Sequence, residues 1–145
     1  VVNQDNTGGR LFLDKDRVRV DWPGIAEDKI FERSRQTLLG ATKALGGTFL
    51  TDLKGKKQGL LTGHPSGGAF MSDSAETGVA NHKGQLYTGS SGTEPHKGLY
   101  VMDAALIPRS IGVNPLLTIA ALAERCCRHL AEDRGWTIDY SLPAV

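Results

Sequence analysis

Cysteine, net charge and long apolar runs are all nearly absent from this sequence. Cys126 and Cys127 are the only cysteines, and because neighbouring cysteines pair poorly they provide no disulfide framework. The 17 Lys and Arg residues are balanced by 16 Asp and Glu residues, so bulk charge attracts neither nucleic acid nor anionic lipid. The longest apolar run, residues 115–123, is far below the roughly 20 residues that a membrane-spanning helix needs. We therefore expect a globular segment with two buried or partly buried thiols.

An initiator methionine is absent as well. The chain of 145 residues begins at Val1, and no basic region followed by an apolar region marks a signal peptide. This length suits one domain or a piece of one. We expect a fragment or a processed product, with the cytoplasm slightly favoured as its compartment.

The first third of the chain shows strand-like and then helical patterns. Residues 10–13 and 18–22 alternate between apolar and polar on either side of the turn Asp14-Lys15-Asp16, which predicts a β-hairpin. Helical spacing from Ile30 to Leu45 predicts a helix that ends at Gly46-Gly47. Residues 48–53 are predicted to form a strand.

The remainder predicts a long irregular region that leads to a second helix. Residues 59–98 are rich in Gly, Ser, Thr and Asn, which predicts irregular structure apart from a short strand at residues 85–88. The run Leu99–Met102 predicts a buried strand. Asn114 and Pro115 then suit the N-cap and the first position of a helix. Its predicted apolar face comprises Leu116, Ile119, Ala120, Ala123, Cys127 and Leu130. The predicted fold class is α+β, a mixed and mostly antiparallel sheet with packed helices.

Two groups of residues could carry chemistry. His64 precedes Pro65 and the glycines Gly67 and Gly68, so its backbone is extended beside a loop that can approach a ligand closely. Asp103 follows an apolar strand and could accept hydrogen bonds from ligand hydroxyls, while the helix N-terminus after it suits negative charge. The alternatives are structural: His64 is simply exposed, Asp103 ends a strand, and Asn114 caps its own helix.

Several other kinds of site are not supported by the sequence. It contains no G-x-G-x-x-G dinucleotide motif, no P-loop and no G-x-S-x-G nucleophile elbow. His82, His96 and His129 lack metal-ligand spacing, which predicts surface roles for them. A metal-dependent hydrolase that uses His64, His82 and His96 is a hypothesis without a supporting helix motif.

Three blocks of sequence resemble the C-terminal signature of the glucose-methanol-choline (GMC) oxidoreductases. The blocks are His-Pro-x-Gly-Gly at residues 64–68, Gly-Leu-Tyr-Val-x-Asp at residues 98–103, and the long run from Ile107 to Arg125. Residues 17–22 and the helix that follows them resemble the substrate side of the cholesterol oxidase group. One departure is Ala69, where the family often has a cysteine that is not catalytic.

The resemblance implies a flavin-dependent oxidation of an alcohol, sterol-like or otherwise bulky. It implies that His64 and Asn114 act on the substrate hydroxyl, Asn114 because cholesterol oxidases have Asn where many relatives have His. It also implies that FAD is bound by five residues: Asp103, Ala104, Asn114, Pro115 and Leu116. A non-catalytic ligand-binding or interaction domain derived from the same fold is the alternative.

The resemblance further implies a division of the chain. Residues 1–98 would belong to the substrate-side region, and residues 99–145 would be a strand, loop and helix that complete an FAD-binding domain. The N-terminal Rossmann-like unit of that domain would be missing, so the fragment alone is expected to be inactive and without bound FAD. Its partners would be the alcohol substrate and the missing unit, and the edge of the strand Leu99–Met102 invites self-association.

Overall fold

The computed structural model describes residues 4, 5, 7–50 and 62–141. Two helices and two small antiparallel sheets confirm the α+β prediction. The chain divides into two compact units, one of Val1–Pro65 with Arg109–Asn114 and one of Ser66–Pro108 with Pro115–Val145. The main elements are β1 Arg10–Asp14, β2 Arg17–Asp21, α1 Lys29–Ala44, β3 Gln85–Tyr87, β4 Pro95–Tyr100 and α2 Leu116–Arg134.

The hairpin of the first unit forms where the alternation predicts it. Leu11 pairs with Val20 and Leu13 with Val18, so β1 and β2 present these four apolar side chains on one face. The turn has φ of 48° at Lys15 and 62° at its other central residue, Asp16. Positive φ at both central residues matches the right-handed twist of the strands, which selects this tight turn although neither residue is glycine.

Helix α1 is also confirmed, with both of its ends explained by local chemistry. The Asp28 side chain accepts a hydrogen bond from the Ile30 N–H at 3.0 Å and caps the first turn. The helix ends at Ala44 with Leu45 as its C-cap, and Gly46 has φ of 66°. The strand predicted for residues 48–53 is wrong at residues 48–50, which pair with no strand among the described residues, and the rest of it lies outside those residues.

The core of the second unit is small and draws on three separate segments. Ala80, Leu106 and Cys126 are buried together, and Met71 and Val101 are among the partly buried side chains packed against them. Isolated bridges of Ala80 to Met71 and to Leu86 extend the pairing beyond β3. The irregular structure predicted for residues 59–98 is confirmed over most of the described part, but β4 begins within it, at Pro95.

The strand predicted at Leu99–Met102 is displaced and less buried than expected. β4 ends at Tyr100, which pairs with Gln85. Since β3 runs antiparallel beside it, β4 is a paired strand. The Val101 N–H leaves the ladder and donates to the Gly84 carbonyl at 2.8 Å. Leu99 is 48% exposed, since a sheet of two strands covers little of either face.

Helix α2 begins and packs differently from the prediction. Its N-cap is Pro115 and not Asn114, because the Ile119 N–H donates the first helical bond to the Pro115 carbonyl at 2.8 Å. Cys126 is buried and Cys127 is exposed, the reverse of the prediction. Of the other predicted inward residues, Ile119, Ala123 and Leu130 are partly buried, whereas Leu116 and Ala120 are exposed. None of the helices that the structure describes is long and apolar enough to cross a membrane.

Replacing Gly84 by alanine is expected to lower the free energy of unfolding by about 2 to 4 kcal/mol. Its φ is +79°, and an added Cβ would lie 2.5 Å from the Val101 carbonyl oxygen and 3.2 Å from Cys126 Sγ. Gly92→Ala is the matched control, because Gly92 has φ of +85° with open space around it and should cost only about 1 kcal/mol. Equal losses in urea unfolding would contradict the steric argument.

The two thiols are expected to react at different rates with a thiol reagent. Burial raises the pKa of the Cys126 thiol, so it stays protonated at pH values where an ordinary thiol begins to ionise, whereas Cys127 is exposed. We expect a fast phase that Cys127→Ser removes and a slow phase that Cys126→Ser removes. A single phase for both thiols in the native chain would contradict the burial of Cys126.

Candidate functional site

The predicted site residues fall into two groups. His64 and Asn114 belong to the first unit, whereas Asp103, Ala104, Pro115 and Leu116 belong to the second. The two residues predicted to act on a hydroxyl therefore share a unit, and four of the five predicted for FAD share the other.

The loop that contains His64 explains the glycines of its motif. His64 is exposed in a bend before Pro65. Gly67 and Gly68 have φ of 82° and 100°, a backbone region that side chains other than glycine rarely adopt. An added Cβ at Gly67 would lie 3.5 Å from the Ile107 carbonyl oxygen. The close neighbour that the sequence could not identify is thus the backbone of Ile107.

Backbone hydrogen bonds join the segment after His64 to the segment after Asp103. Gly67, Ala69 and Met71 donate their N–H groups to the carbonyls of Ala104, Ala105 and Leu106 at 3.1, 3.2 and 3.0 Å. The alternation of donors over residues 67–71 is strand-like, but its acceptors lie on a short 3₁₀ helix, Ala104–Leu106. Sequence periodicity carries no signal for this pairing, and sequence reasoning missed it.

Asp103 has one structural role and one unused oxygen atom. Its Oδ1 accepts a hydrogen bond from the Ala105 N–H at 2.8 Å and so caps the 3₁₀ helix. The side chain is exposed, and its Oδ2 makes no hydrogen bond to the described residues. Asp103 can therefore hold its own loop and still accept a hydrogen bond from a ligand.

The N-terminus of α2 has no side-chain cap. Its N-cap, Pro115, has no acceptor in its side chain, and Asn114 is exposed without a hydrogen bond to any described residue. Leu116 and Leu117 in the first turn are 73% and 82% exposed. The N–H groups of this turn and the partial positive charge of the helix are accordingly open to an acceptor.

The chemistry of these groups is compatible with part of a flavin. An uncapped helix N-terminus and an exposed carboxylate oxygen suit the carbonyl groups and the hydroxyl groups of such a cofactor. Pro115 itself has no N–H, so its neighbours must be the donors.

The remaining histidines lie elsewhere in the second unit. His82 and His96 are exposed as predicted, whereas the side chain of His129 is partly buried and 17% exposed. It lies three residues after buried Cys126, so helical periodicity could have found it. Within residues 4–5, 7–50 and 62–141, no three His, Cys, Asp or Glu side chains come together as metal ligands.

Two open grooves lie in the second unit, and neither is lined by a predicted site residue. One, of about 280 Å³, is lined by Met71, Ser72, Asp73 and His82. The other, of about 390 Å³, runs along α2 and is lined by Ala121, Glu124, Arg125, Arg128 and Tyr140.

Replacing Asp103 by alanine is expected to reduce stability by about 1 kcal/mol, because the Ala105 N–H loses its acceptor. Asp103→Asn keeps an oxygen at the same position. Its free energy of unfolding should therefore lie within a few tenths of a kcal/mol of that of the native chain. Thermal or urea unfolding measures both. Equal destabilisation by the two variants would mean that the carboxylate charge, and not the cap, stabilises this loop.

The sequence of this chain is similar to one protein family and to several named proteins. The family described as GMC oxidoreductase matches residues 51–123, a range that includes all six predicted site residues. A cholesterol oxidase of Acinetobacter baumannii is 35% identical over 82 residues, which cover 53% of this chain and 14% of that protein. A cholesterol oxidase of Mycobacterium tuberculosis strain H37Rv is 43% identical over 65 residues, covering 45% and 10%. The chain thus spans a small part of the length of the curated relatives it matches.

Proposed function

The chain belongs to the GMC oxidoreductase family, whose members depend on FAD, and we propose that it is the C-terminal part of an enzyme that oxidises an alcohol. The substrate would be sterol-like or otherwise bulky, by analogy with the relatives named cholesterol oxidase. The observation that carries the proposal is the bonding of the His64 segment to the Asp103 segment through the backbone of residues 67–71 and 104–106.

In this proposal His64 accepts the proton of the substrate hydroxyl. An exposed imidazole can accept a proton near neutral pH, and its position before Pro65 restricts its backbone. Asn114 would donate its amide N–H to the same oxygen. Its amide is engaged by no described residue and does not cap α2, which leaves it free for this task.

FAD, when bound, would accept the carbon-bound hydrogen of the alcohol as hydride. Asp103 Oδ2 would accept a hydrogen bond from it, with Ala104 beside that carboxylate, and the N–H groups next to Pro115 would donate to it. The α2 N-terminus would favour negative charge near these donors, because its dipole is not offset by a cap. Leu116 would contribute its N–H and an apolar side chain.

We further propose that residues 1–98 are a substrate-side region and that residues 99–145 complete an FAD-binding domain whose Rossmann-like unit lies in another part of the polypeptide. Exposed apolar surface supports the contact of both regions with further protein or with a ligand. The hairpin face of Leu11, Leu13, Val18 and Val20 is 59% to 73% exposed, and the Leu116 and Leu117 side chains are also uncovered. Apolar faces of this kind usually contact other protein or a ligand.

In the full-length enzyme, His64→Gln is expected to lower kcat/KM for an alcohol substrate by roughly 10²- to 10⁴-fold, because the proton acceptor is lost. Bound FAD, measured by its visible absorbance, should be retained. His96→Gln is the matched control, since His96 is exposed on β4 and has no role in the proposed site. Asn114→Ala should reduce kcat while FAD remains bound.

Full activity of the His64→Gln enzyme with normal FAD content would refute the catalytic role. The isolated chain, titrated with FAD, is expected to show neither stoichiometric binding nor turnover. Tight binding by the isolated chain would refute the proposed division of the FAD-binding domain. A full-length protein that holds no FAD and oxidises no alcohol would favour a non-catalytic ligand-binding domain.

A further inference from the structure

Polar contacts connect the turn Asn81–Gly84 to α2. The proposed reaction uses none of them. Asn81 Oδ1 accepts hydrogen bonds from the Lys83 and Gln85 N–H groups at 2.9 and 3.1 Å and shapes the turn. Lys83 Nζ lies 2.6 and 2.8 Å from the two carboxylate oxygens of Asp133 on α2. Arg125 of α2 donates to the His82 carbonyl.

Two imidazole rings meet within this contact. The His82 and His129 rings are edge to face, with centroids 5.8 Å apart. His129 Nδ1 lies 3.1 Å from Glu132 Oε2. Its Nε2 is buried and has no hydrogen-bond partner among the described residues. Of the described groups in this contact, only His129 has a buried side-chain atom without a hydrogen-bond partner.

The charges around the two rings are balanced only while both rings are neutral. The turn provides Lys83, and α2 provides Arg125, Arg128, Glu132 and Asp133. Asp73 lines a groove with His82, and the buried thiol of Cys126 lies beside Gly84. These groups comprise three cations and three carboxylates, and one of the carboxylates, Glu132, is shared by Arg128 and His129.

Protonation of both rings would oppose the contact in two ways. It would bring two positive charges together at a centroid separation of 5.8 Å, while the Arg125 guanidinium donates to the backbone carbonyl of His82. It would also convert His129 Nε2 from an unpaired buried acceptor into an unpaired buried N–H of a cation, which costs more. Histidine changes charge between pH 5 and 8 more readily than other side chains.

We propose that His82 and His129 make the contact between the turn Asn81–Gly84 and α2 a pH-sensitive clasp. The clasp is closed when both rings are neutral and weakens when both are protonated. Because the Val101 N–H donates to the Gly84 carbonyl, opening of the clasp loosens the end of β4 just before Asp103. Acidification therefore loosens the segment that leads into the candidate flavin site. This proposal does not depend on flavin being bound at that site.

Backbone amide exchange on the full chain tests the clasp. Protection factors, corrected for intrinsic exchange, are compared at pH 7.5 and pH 5.5 for the Gly84 and Val101 N–H groups. We expect protection to fall roughly tenfold on acidification. The Leu45 N–H at the end of α1, bonded to Ala41, serves as the internal reference and should not change.

Three variants separate titration of the rings from general weakening. His129→Gln should remove the difference between the two pH values, because the buried imidazole is lost. His82→Gln should reduce the difference, because His129 can then still become charged but no longer meets a second charged ring. Lys83→Gln should lower protection equally at both pH values and keep the difference. A native chain without the difference, or a His82→Gln chain whose difference is as large as that of the native chain, would overturn the proposal. His82 is exposed, so its replacement tests the clasp even if His129→Gln fails to fold.

Discussion

Three backbone hydrogen bonds from residues 67–71 to residues 104–106 join two distant segments of the second unit. Neither segment belongs to a regular strand, so each would otherwise leave backbone donors or acceptors without partners as the chain compacts. Their pairing also brings Leu106 into the core beside Ala80 and Cys126. The loop after His64 and the loop after Asp103 consequently form one structural element, although the chain separates them widely.

This constraint gives a physical reason for part of the family's motif. Residues 67 and 68 must adopt positive φ for the loop to reach its acceptors, and glycine does so at little cost. Ala69, the departure from the motif, contributes its N–H to the same pairing, a role that any residue except proline can perform. The departure at Ala69 therefore leaves the backbone pairing intact.

The amount of uncovered apolar surface fits the family assignment. The hairpin, the N-terminus of α2 and Leu45 all expose large apolar side chains, and the core of the second unit contains few residues. A chain of this size normally buries most of the apolar surface it can. Curated relatives are many times longer than the matched region, so other protein segments are available in them to cover such faces.

Patterns along the chain predicted the hairpin, both helices and the short strand near residue 85, because each depends on neighbours within a few residues. The family motif likewise required only residue identities and spacing. The helix start at Pro115 was missed because the preference of asparagine for N-caps outweighed the actual hydrogen bond from Ile119. The end of β4 was missed because its pairing with β3 involves a segment further away along the chain.

Local sequence by itself thus determined the hairpin, the two helices, the short strand near residue 85 and the family to which the chain belongs. Tertiary structure alone decided which of two adjacent thiols is buried, which carbonyls accept from the glycine loop and why His129 meets His82. The reason is physical: periodicity encodes contacts between residues a few positions apart, whereas burial and the pairing of loops depend on segments that come together only when the chain has folded.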